Sequence, residues 1–195
     1  MRTIPLLLGL SLLVTACGEE PPRPLAIPSI DQSTGSDFEV CPESGVLVRE
    51  LDTNAAMGLR AMSISLVNCG DVPQKFNGYP EIELYDAEGD PITADFRHGS
   101  GGVAQVESFE APAAPFTLKP GELATAGILW RNLVENVTRP PVTADSMAVV
   151  PRPGMDAQRL TDLNIDLGTT VKVGLSPWKK SKDRQRTRSS APEGT

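Results

Sequence analysis

The chain has 195 residues, with 25 acidic and 18 basic side chains, one histidine and three cysteines. That length suits one domain of ordinary size with additional terminal segments. The net charge of −7 excludes a nucleic-acid binder that acts through a basic face, because such a face must displace counterions from phosphate. The sequence has no Walker-type loop, no dinucleotide-binding loop and no cluster of zinc or copper ligands, so no cofactor is predicted.

Residues 1–16 carry one arginine, then about a dozen apolar residues, and end in small residues just before Cys17. This pattern predicts a secretory signal, which is too short to span a bilayer of about 30 Å. Residues 14–17 resemble the lipobox of bacterial lipoproteins, whose cysteine receives a diacylglyceryl group and becomes the first mature residue. An ordinary secretory signal with a chance cysteine is the alternative. We expect a lipidated Cys17 to hold the protein on the extracytoplasmic face of the cell membrane.

Two terminal segments have compositions that are typical of unfolded chain. Residues 17–40 contain four prolines with serine and glycine and show no apolar periodicity, which predicts a flexible linker. Residues 179–195 carry six basic and two acidic side chains, which predicts a disordered basic tail. The functional alternative for the tail is contact with anionic lipid headgroups or cell-wall polymers.

The body, residues 41–178, consists of short apolar segments separated by turn residues, which favours strands over helices. We therefore expect an all-β fold, an immunoglobulin-like antiparallel β-sandwich. Residues 54–60 are the one stretch predicted to form a helical turn. The predicted strands are 46–51, 61–68, 81–85, 91–96, 116–118, 123–130, 146–150, 157–160 and 171–175, with 81–85 and 91–96 forming a hairpin.

With Cys17 lipidated, Cys41 and Cys69 remain in an oxidising compartment, and we expect a disulfide between them. One lies at the entry to the first predicted strand, and the other lies just past the end of the second. Closing a loop of about 29 residues is worth roughly 3.5 kcal/mol in the chain-entropy model. The spacing is far longer than that of a redox-active pair.

Five short motifs occur in order along the body: LVNC at 66–69, NGYP at 77–80, LKPGE at 118–122, LWRN at 129–132 and LSPW at 175–178. Together they resemble the actinobacterial secreted and lipoprotein family described as domain of unknown function 4232. The resemblance implies an immunoglobulin-like sandwich in the cell envelope, and it implies no known activity.

The candidates for chemistry are an acidic hairpin, residues 81–95, and the loop of His98. In the hairpin turn, Asp86, Glu88 and Asp90 are candidate calcium ligands, although the EF-hand pattern is incomplete. A solvated acidic edge that discourages edge-to-edge pairing is the alternative. His98 precedes a glycine-rich stretch that contains Ser100, but no nucleophile elbow is present.

Three ring-bearing residues, Tyr79, His98 and Trp178, are candidates to face a ligand, and Trp178 has the alternative role of a lid on the core. Trp130 shares a strand face with other apolar residues, which favours core packing. The Tyr79–Pro80 peptide bond is open to a cis form, with trans the ordinary expectation.

These observations predict a non-enzymatic, lipid-anchored binding or adaptor module that holds an envelope protein or a cell-wall glycan. They rest on the predicted tether, the absence of catalytic motifs and a fold that commonly displays loops for recognition. The alternative is an envelope enzyme or a calcium-dependent module that uses the hairpin 81–95 or the His98 loop.

Overall fold

The computed structural model describes residues 40–181, which form fourteen β-strands and one four-residue helix. The elements in chain order are β1 Val46–Ala56, β2 Leu59–Asn68, β3 Gln74–Phe76, β4 Glu81–Tyr85, β5 Pro91–Ile92, β6 Asp95–His98, α1 Glu107–Glu110, β7 Phe116–Leu118, β8 Leu123–Arg131, β9 Val142–Ala144, β10 Ser146–Val150, β11 Gln158–Leu160, β12 Ile165–Gly168, β13 Lys172–Leu175 and β14 Lys179–Lys180.

The strands form one large sheet, one smaller sheet and two ribbons. The large sheet has the order β1-β2-β8-β13-β6, and β14 also pairs with β8. The smaller sheet has the order β11-β10-β4-β5, and the ribbons are β12-β9 and β3-β7. Every strand pairing among residues 40–181 is antiparallel except that of β13 with β6. The predicted all-β sandwich is confirmed.

The core follows the alternation of the long strands. From β2 the side chains of Met62, Ile64 and Leu66 are buried, and from β8 every second residue up to Trp130 is buried. Opposing apolar side chains come from β4, β10 and β12, all within one cluster. A fully buried Leu, Ile or Met side chain is worth about 1.5–3 kcal/mol, so this alternation supplies the driving force for the fold. The core placement predicted for Trp130 is confirmed.

The predicted helical turn at residues 54–60 is wrong. β1 instead runs to Ala56 and pairs it with Leu59 in β2 across a two-residue turn. Met57 and Gly58 have φ of 48° and 78°, and positive φ at both central residues matches the twist of a tight hairpin. The local sequence is compatible with a helix, but ten residue pairs with β2 extend the strand.

The predicted strand at 91–96 is divided between two sheets. Pro91–Ile92 pairs with β4, as the hairpin prediction requires. After residues 93–94, Asp95–His98 pairs in parallel with β13 in the large sheet. At the other end of the body, Lys179–Lys180 forms β14 rather than the start of the tail. The predictions for the signal, Cys17, most of the linker and the rest of the tail concern residues 1–39 and 182–195, which lie outside the described residues.

The sandwich has two ends that matter for function. At the disulfide end, Cys41 and Cys69 are bonded with their Cα atoms 5.7 Å apart, which confirms the predicted pairing. The backbone N–H of Ser181 donates to Leu123 at this same end. At the hairpin end lie the β1–β2 turn and residues 132–137. The eleven residues of β1 separate the two ends by about 30 Å, at about 3.3 Å per residue.

Candidate functional site

The acidic hairpin uses its first carboxylate to close its own turn. Asp86 Oδ1 accepts the backbone N–H of Asp90 at 2.8 Å, and the backbone N–H of Asp86 donates to the carbonyl of Asp90 at 3.0 Å. Glu88 and Asp90 are exposed. Nowhere in residues 40–181 do three His, Cys, Asp or Glu side chains come together as a metal-binding group. The candidate calcium ligands Asp86, Glu88 and Asp90 are therefore not assembled as a site.

The strand beside this turn carries an interacting surface pair. The Tyr85 hydroxyl donates to the carboxylate of Glu83, which raises the pKa of Tyr85. The guanidinium of Arg159 lies 4.1 Å from the centre of the Tyr85 ring and donates to Ser146 Oγ. These contacts connect neighbouring strands of the smaller sheet. The arrangement is a cross-strand contact of the kind that stabilises sheets.

In the loop after His98, Ser100 is 5% exposed, and its groups are used to shape the backbone. Its Oγ accepts the backbone N–H of Val106 at 3.1 Å, and its own N–H donates to Glu110 Oε1 at 2.9 Å. Hydrogen bonding from Ser100 lowers the pKa of Glu110. Ser100 therefore closes the loop that leads into α1, and its hydroxyl is bonded to backbone atoms rather than to an imidazole.

Two of the three predicted ligand-facing residues lie together. The rings of Tyr79 and His98 stack with their centroids 3.6 Å apart and their planes 1° apart. His98 is exposed and Tyr79 is half-buried. The Tyr79–Pro80 bond is trans. The pair presents an aromatic surface beside the edge strand β6, and its flat face suits stacking against another ring.

Trp178 is not ligand-facing. It is 2% exposed, and its indole N–H donates to the carbonyl of Pro151 at 2.9 Å. Its backbone N–H donates to Gly78 at 2.9 Å, so it joins the motif at 77–80 to the end of the body. The alternative role, a lid on the core, is confirmed for this residue.

The motifs that carried the family resemblance hold the fold together at the disulfide end. Asn68 is fully buried, and its amide donates to the carbonyls of Val72 and Leu118 at 2.8 and 2.9 Å. Glu122 accepts the backbone N–H of Lys119 at 2.7 Å and the ammonium of Lys180 at 2.6 Å, and its pKa is lowered by these bonds. The Asn68 amide and the Glu122 carboxylate are therefore occupied by hydrogen bonds within the domain. These motifs hold loops in position.

The remaining motif, residues 129–132, converges on a carboxylate that the sequence analysis missed. Asp166 Oδ1 accepts the indole N–H of Trp130 at 2.9 Å. Its Oδ2 accepts Asn132 Nδ2 at 2.6 Å and the guanidinium of Arg60 at 3.2 Å. Asp166 alternates with the apolar residues Ile165 and Leu167 in β12, and that alternation was the available signal for a strand. This group of bonds fixes the chain where it leaves β8 at the hairpin end.

The hairpin end presents exposed apolar side chains that the sequence analysis also missed. Met57 is 99% exposed, and Val137 is 90% exposed. Leu133 and Val134 are about half exposed in the same loop. The available signal was a methionine in a tight turn, where Asn, Asp or Gly is preferred because φ is positive. These four residues, Met57, Leu133, Val134 and Val137, are called the hairpin-end apolar group below.

The loop that carries most of this group is held by hydrogen bonds. The backbone N–H of Asn132 donates to Gly58 at 2.9 Å, and the backbone N–H of Thr169 donates to Leu133 at 3.0 Å. Thr169 Oγ1 accepts the N–H groups of Glu135 and Asn136 at 3.0 and 3.1 Å. The apolar side chains are therefore displayed on an ordered backbone, as recognition surfaces require.

A cleft of about 220 Å³ adjoins this end, lined by Gly102, Val103, Arg131, Leu133, Glu135, Thr170 and Lys172. Arg131 Nε donates to the carbonyl of Val103 at 2.9 Å, which fixes one wall. Between two lining residues, Val171 has φ of 47°, which is an outlier for a β-branched residue. Such strained backbone clusters at sites that bind ligands or partners.

These features define a disulfide-bonded β-sandwich domain with a group of exposed apolar side chains at one end. Its sequence belongs to the family described as domain of unknown function DUF4232, whose sequence profile matches residues 41–179. The predicted match to domain of unknown function 4232 is thereby confirmed. No curated protein matches the chain. Within residues 40–181, no helix is both long and apolar enough to cross a membrane.

Proposed function

We propose that this protein is a lipid-anchored, non-enzymatic binding or adaptor module of the bacterial cell envelope, which binds its partner through the hairpin end. The observation that carries the proposal is the hairpin-end apolar group. Four of the seven large apolar residues that are exposed within residues 40–181 belong to it. Apolar side chains that gather at one end of a domain mark an interaction site, whereas scattered ones do not.

The conformation of Met57 strengthens this reasoning. A non-glycine residue at positive φ costs of order 1 kcal/mol or more, and an exposed apolar side chain returns nothing to stability. Asn or Gly would fit the same turn without either cost. A methionine is flexible and polarisable, and it adapts to a partner's surface. A role in binding therefore explains why methionine occupies position 57, whereas the stability of the fold does not explain it.

The proposed anchor complements this placement. With Cys17 lipidated, the chain enters the domain at the disulfide end, beside Cys41. The hairpin end is then the end of the domain farthest from its point of attachment, and it is free to meet other envelope components. Beyond β14, residues 182–195 add four basic side chains, each contributing about 1 kcal/mol of attraction when close to an anionic surface.

An envelope protein is the partner that this surface favours, because methionine, leucine and valine side chains fill apolar pockets. A cell-wall glycan is the second candidate, and the stacked pair of Tyr79 and His98 favours it. Sugar rings pack their C–H faces on aromatic rings of this kind. The two candidates place the ligand on different surfaces.

Crosslinking in living cells tests the proposal. The full-length protein and a Cys17→Ala secreted form are treated with a short amine-reactive crosslinker, and captured proteins are identified by mass spectrometry. We expect a dominant protein partner from the anchored form alone. Retention of the domain by washed cell wall, with no protein captured, would contradict the protein-binding proposal and favour the glycan.

A further inference from the structure

The first strand of the large sheet has a side that no other strand covers. β1 pairs with β2 along ten residue pairs, and it is the end strand of its sheet. From Glu50 to Ala56 every residue of β1 is exposed. Within residues 40–181 no strand pairs with this outer side. The segment Asp52–Ala56 is called the free edge below.

At the beginning of β1, the outer side of the strand already forms hydrogen bonds with an amide group from another strand. The side-chain amide of Gln158 accepts the backbone N–H of Val48 at 2.9 Å and donates to the carbonyl of Val46 at 2.9 Å. One amide thus makes the two bonds that a neighbouring strand would make there. Gln158 closes the first part of the edge and leaves the rest open.

The pairing register identifies which backbone groups the free edge offers. A two-residue hairpin is closed by a hydrogen-bonded pair, here Ala56 with Leu59, and hydrogen-bonded pairs alternate along the ladder. Asn54 and Asp52 therefore also bond to β2. Thr53 and Ala55 direct their N–H and C=O groups away from the sheet, towards an incoming strand.

The surroundings of the free edge define the chemistry of that strand. Glu50 and Asp52 are exposed carboxylates on β1. The basic side chain opposite Ala55, that of Arg60, is paired with Asp166 at 3.2 Å, so it does not neutralise them. On one face, Asn54, Ala55, Ala56, Leu59 and Ala61 line a groove of about 320 Å³. An extended segment with basic side chains near the carboxylates and an apolar side chain in the groove fits both features.

We propose that the free edge binds an extended, basic segment of a partner protein by antiparallel strand addition, the mode in which main-chain bonds give affinity and alternate side chains give specificity. This inference rests on the proposed binding function and names the class of its partner. The same strand leads directly to Met57, so an added strand lies beside the hairpin-end apolar group. A second copy of this chain fits poorly, because two free edges would bring their carboxylates together.

Substitutions at one outward-facing residue test the bonding. Ala55→Pro removes the N–H that an added strand needs, while proline is tolerated on an edge strand whose N–H faces solvent. Ala55→Thr retains the N–H and suits a strand, and it serves as the matched control. Gln158→Ala opens the groups at Val46 and Val48, which lie beyond the register shift between Glu50 and Asp52, so it serves as a second control. Thermal unfolding of each variant establishes that the fold is retained.

The probe is a fluorescent peptide of alternating lysine and valine, about seven residues long to match a typical strand. Its binding to the full-length protein is measured by fluorescence anisotropy. We expect the matching glutamate–valine peptide to bind the unchanged protein at least tenfold more weakly than the lysine–valine peptide does. We also expect the lysine–valine peptide to bind Ala55→Pro at least fivefold more weakly than it binds the unchanged protein. Ala55→Thr and Gln158→Ala are both expected to bind normally. Equal affinity of Ala55→Pro and Ala55→Thr would overturn the proposal, because the association would then be electrostatic alone.

Failure here is distinguishable from failure of the proposed function. Should Ala55→Pro capture the same cellular partner as the unchanged protein in the crosslinking experiment, strand addition is overturned while the binding function stands. Should neither protein capture any partner, the binding function itself is contradicted.

Discussion

Trp130 donates its indole N–H to Asp166 over 2.9 Å, and this bond joins the core of the large sheet to β12. Trp130 is fully buried, whereas Asp166 is partly exposed and also accepts the amide of Asn132. The carboxylate thus connects a core tryptophan to the loop that displays the hairpin-end apolar group. The stability of the domain and the conformation of that loop therefore both depend on Asp166.

Replacing Asp166 with alanine is expected to destabilise the domain by about 2–3 kcal/mol, because a buried indole N–H left without an acceptor costs about 1–3 kcal/mol and further bonds to Asp166 are also lost. Asp166→Asn keeps an acceptor for Trp130 and should lose less. Urea denaturation measures both, with Glu88→Ala at an exposed position as the control. A loss below about 0.5 kcal/mol for Asp166→Ala, the ordinary range for surface substitutions, would show that the bond is not needed.

Removing the disulfide should cost about 3–3.5 kcal/mol, because the bond closes a loop with a sequence separation of 28. The Cys41→Ser, Cys69→Ser double variant and the reduced protein should unfold at the same denaturant concentration. Reduction should leave the double variant unchanged. Two free thiols in protein exported under native conditions would contradict the pairing.

Acid sensitivity should depend on Glu122. The bond from the Lys180 ammonium, with that from the Lys119 backbone, lowers the pKa of Glu122 below its ordinary value of 4.5. A lowered folded-state pKa means that the stabilisation is present above about pH 4.5 and is lost as the pH falls through the folded-state pKa. The stability difference between the unchanged protein and Glu122→Gln should therefore be constant near neutral pH and shrink in acid. Melting temperatures across this range measure it.

The control for that titration is Lys180→Met, which removes the main cause of the shift. In the Lys180→Met background, adding Glu122→Gln should change the stability at neutral pH by less than it does in the unchanged protein. An effect of Glu122→Gln that grows as the pH falls would contradict the assigned direction.

Met57→Asn should separate stability from binding. Asparagine tolerates positive φ and removes an exposed apolar side chain, so a gain of about 0.5–1 kcal/mol is expected. Capture of the partner in cells should fall at the same time. Met57→Leu retains the apolar side chain and serves as the binding control. Normal capture by Met57→Asn would show that this side chain does not contact the partner.

Much of the fold followed from the sequence, because one face of each long strand is buried and the pattern alternates. The strands at 81–85, 146–150 and in the middle of β8 lie where that alternation predicted them. β3 and β9 have three residues each and show no readable alternation; β7 is equally short but was predicted because the turn at 119–122 marks its end. The chain passes from the smaller sheet to the large sheet at residues 93–94. This change of sheet depends on pairing with β13, which is distant in sequence from β6.

The hairpin-end apolar group was harder to predict, because exposure of an apolar residue is a property of the whole fold. In the sequence, Leu133 and Val134 look like ordinary apolar residues. In the structure, hydrogen bonds of Asn132 and Thr169 hold their loop so that both side chains are partly exposed. Trp178 showed the converse: it was a candidate to face a ligand, with a lid on the core as the alternative, but the carbonyl of Pro151 accepts its indole N–H inside the core.

The most direct test of the hairpin end as the binding surface is site-specific photocrosslinking in living cells. A photoreactive amino acid replaces either Met57 at the hairpin end or Val72, which is also exposed but lies at the disulfide end. The anchored, full-length protein is irradiated and crosslinked products are compared. We predict a discrete protein adduct from position 57 and none from position 72. An adduct from position 72 alone, or equal adducts from both, would contradict the assignment of the surface.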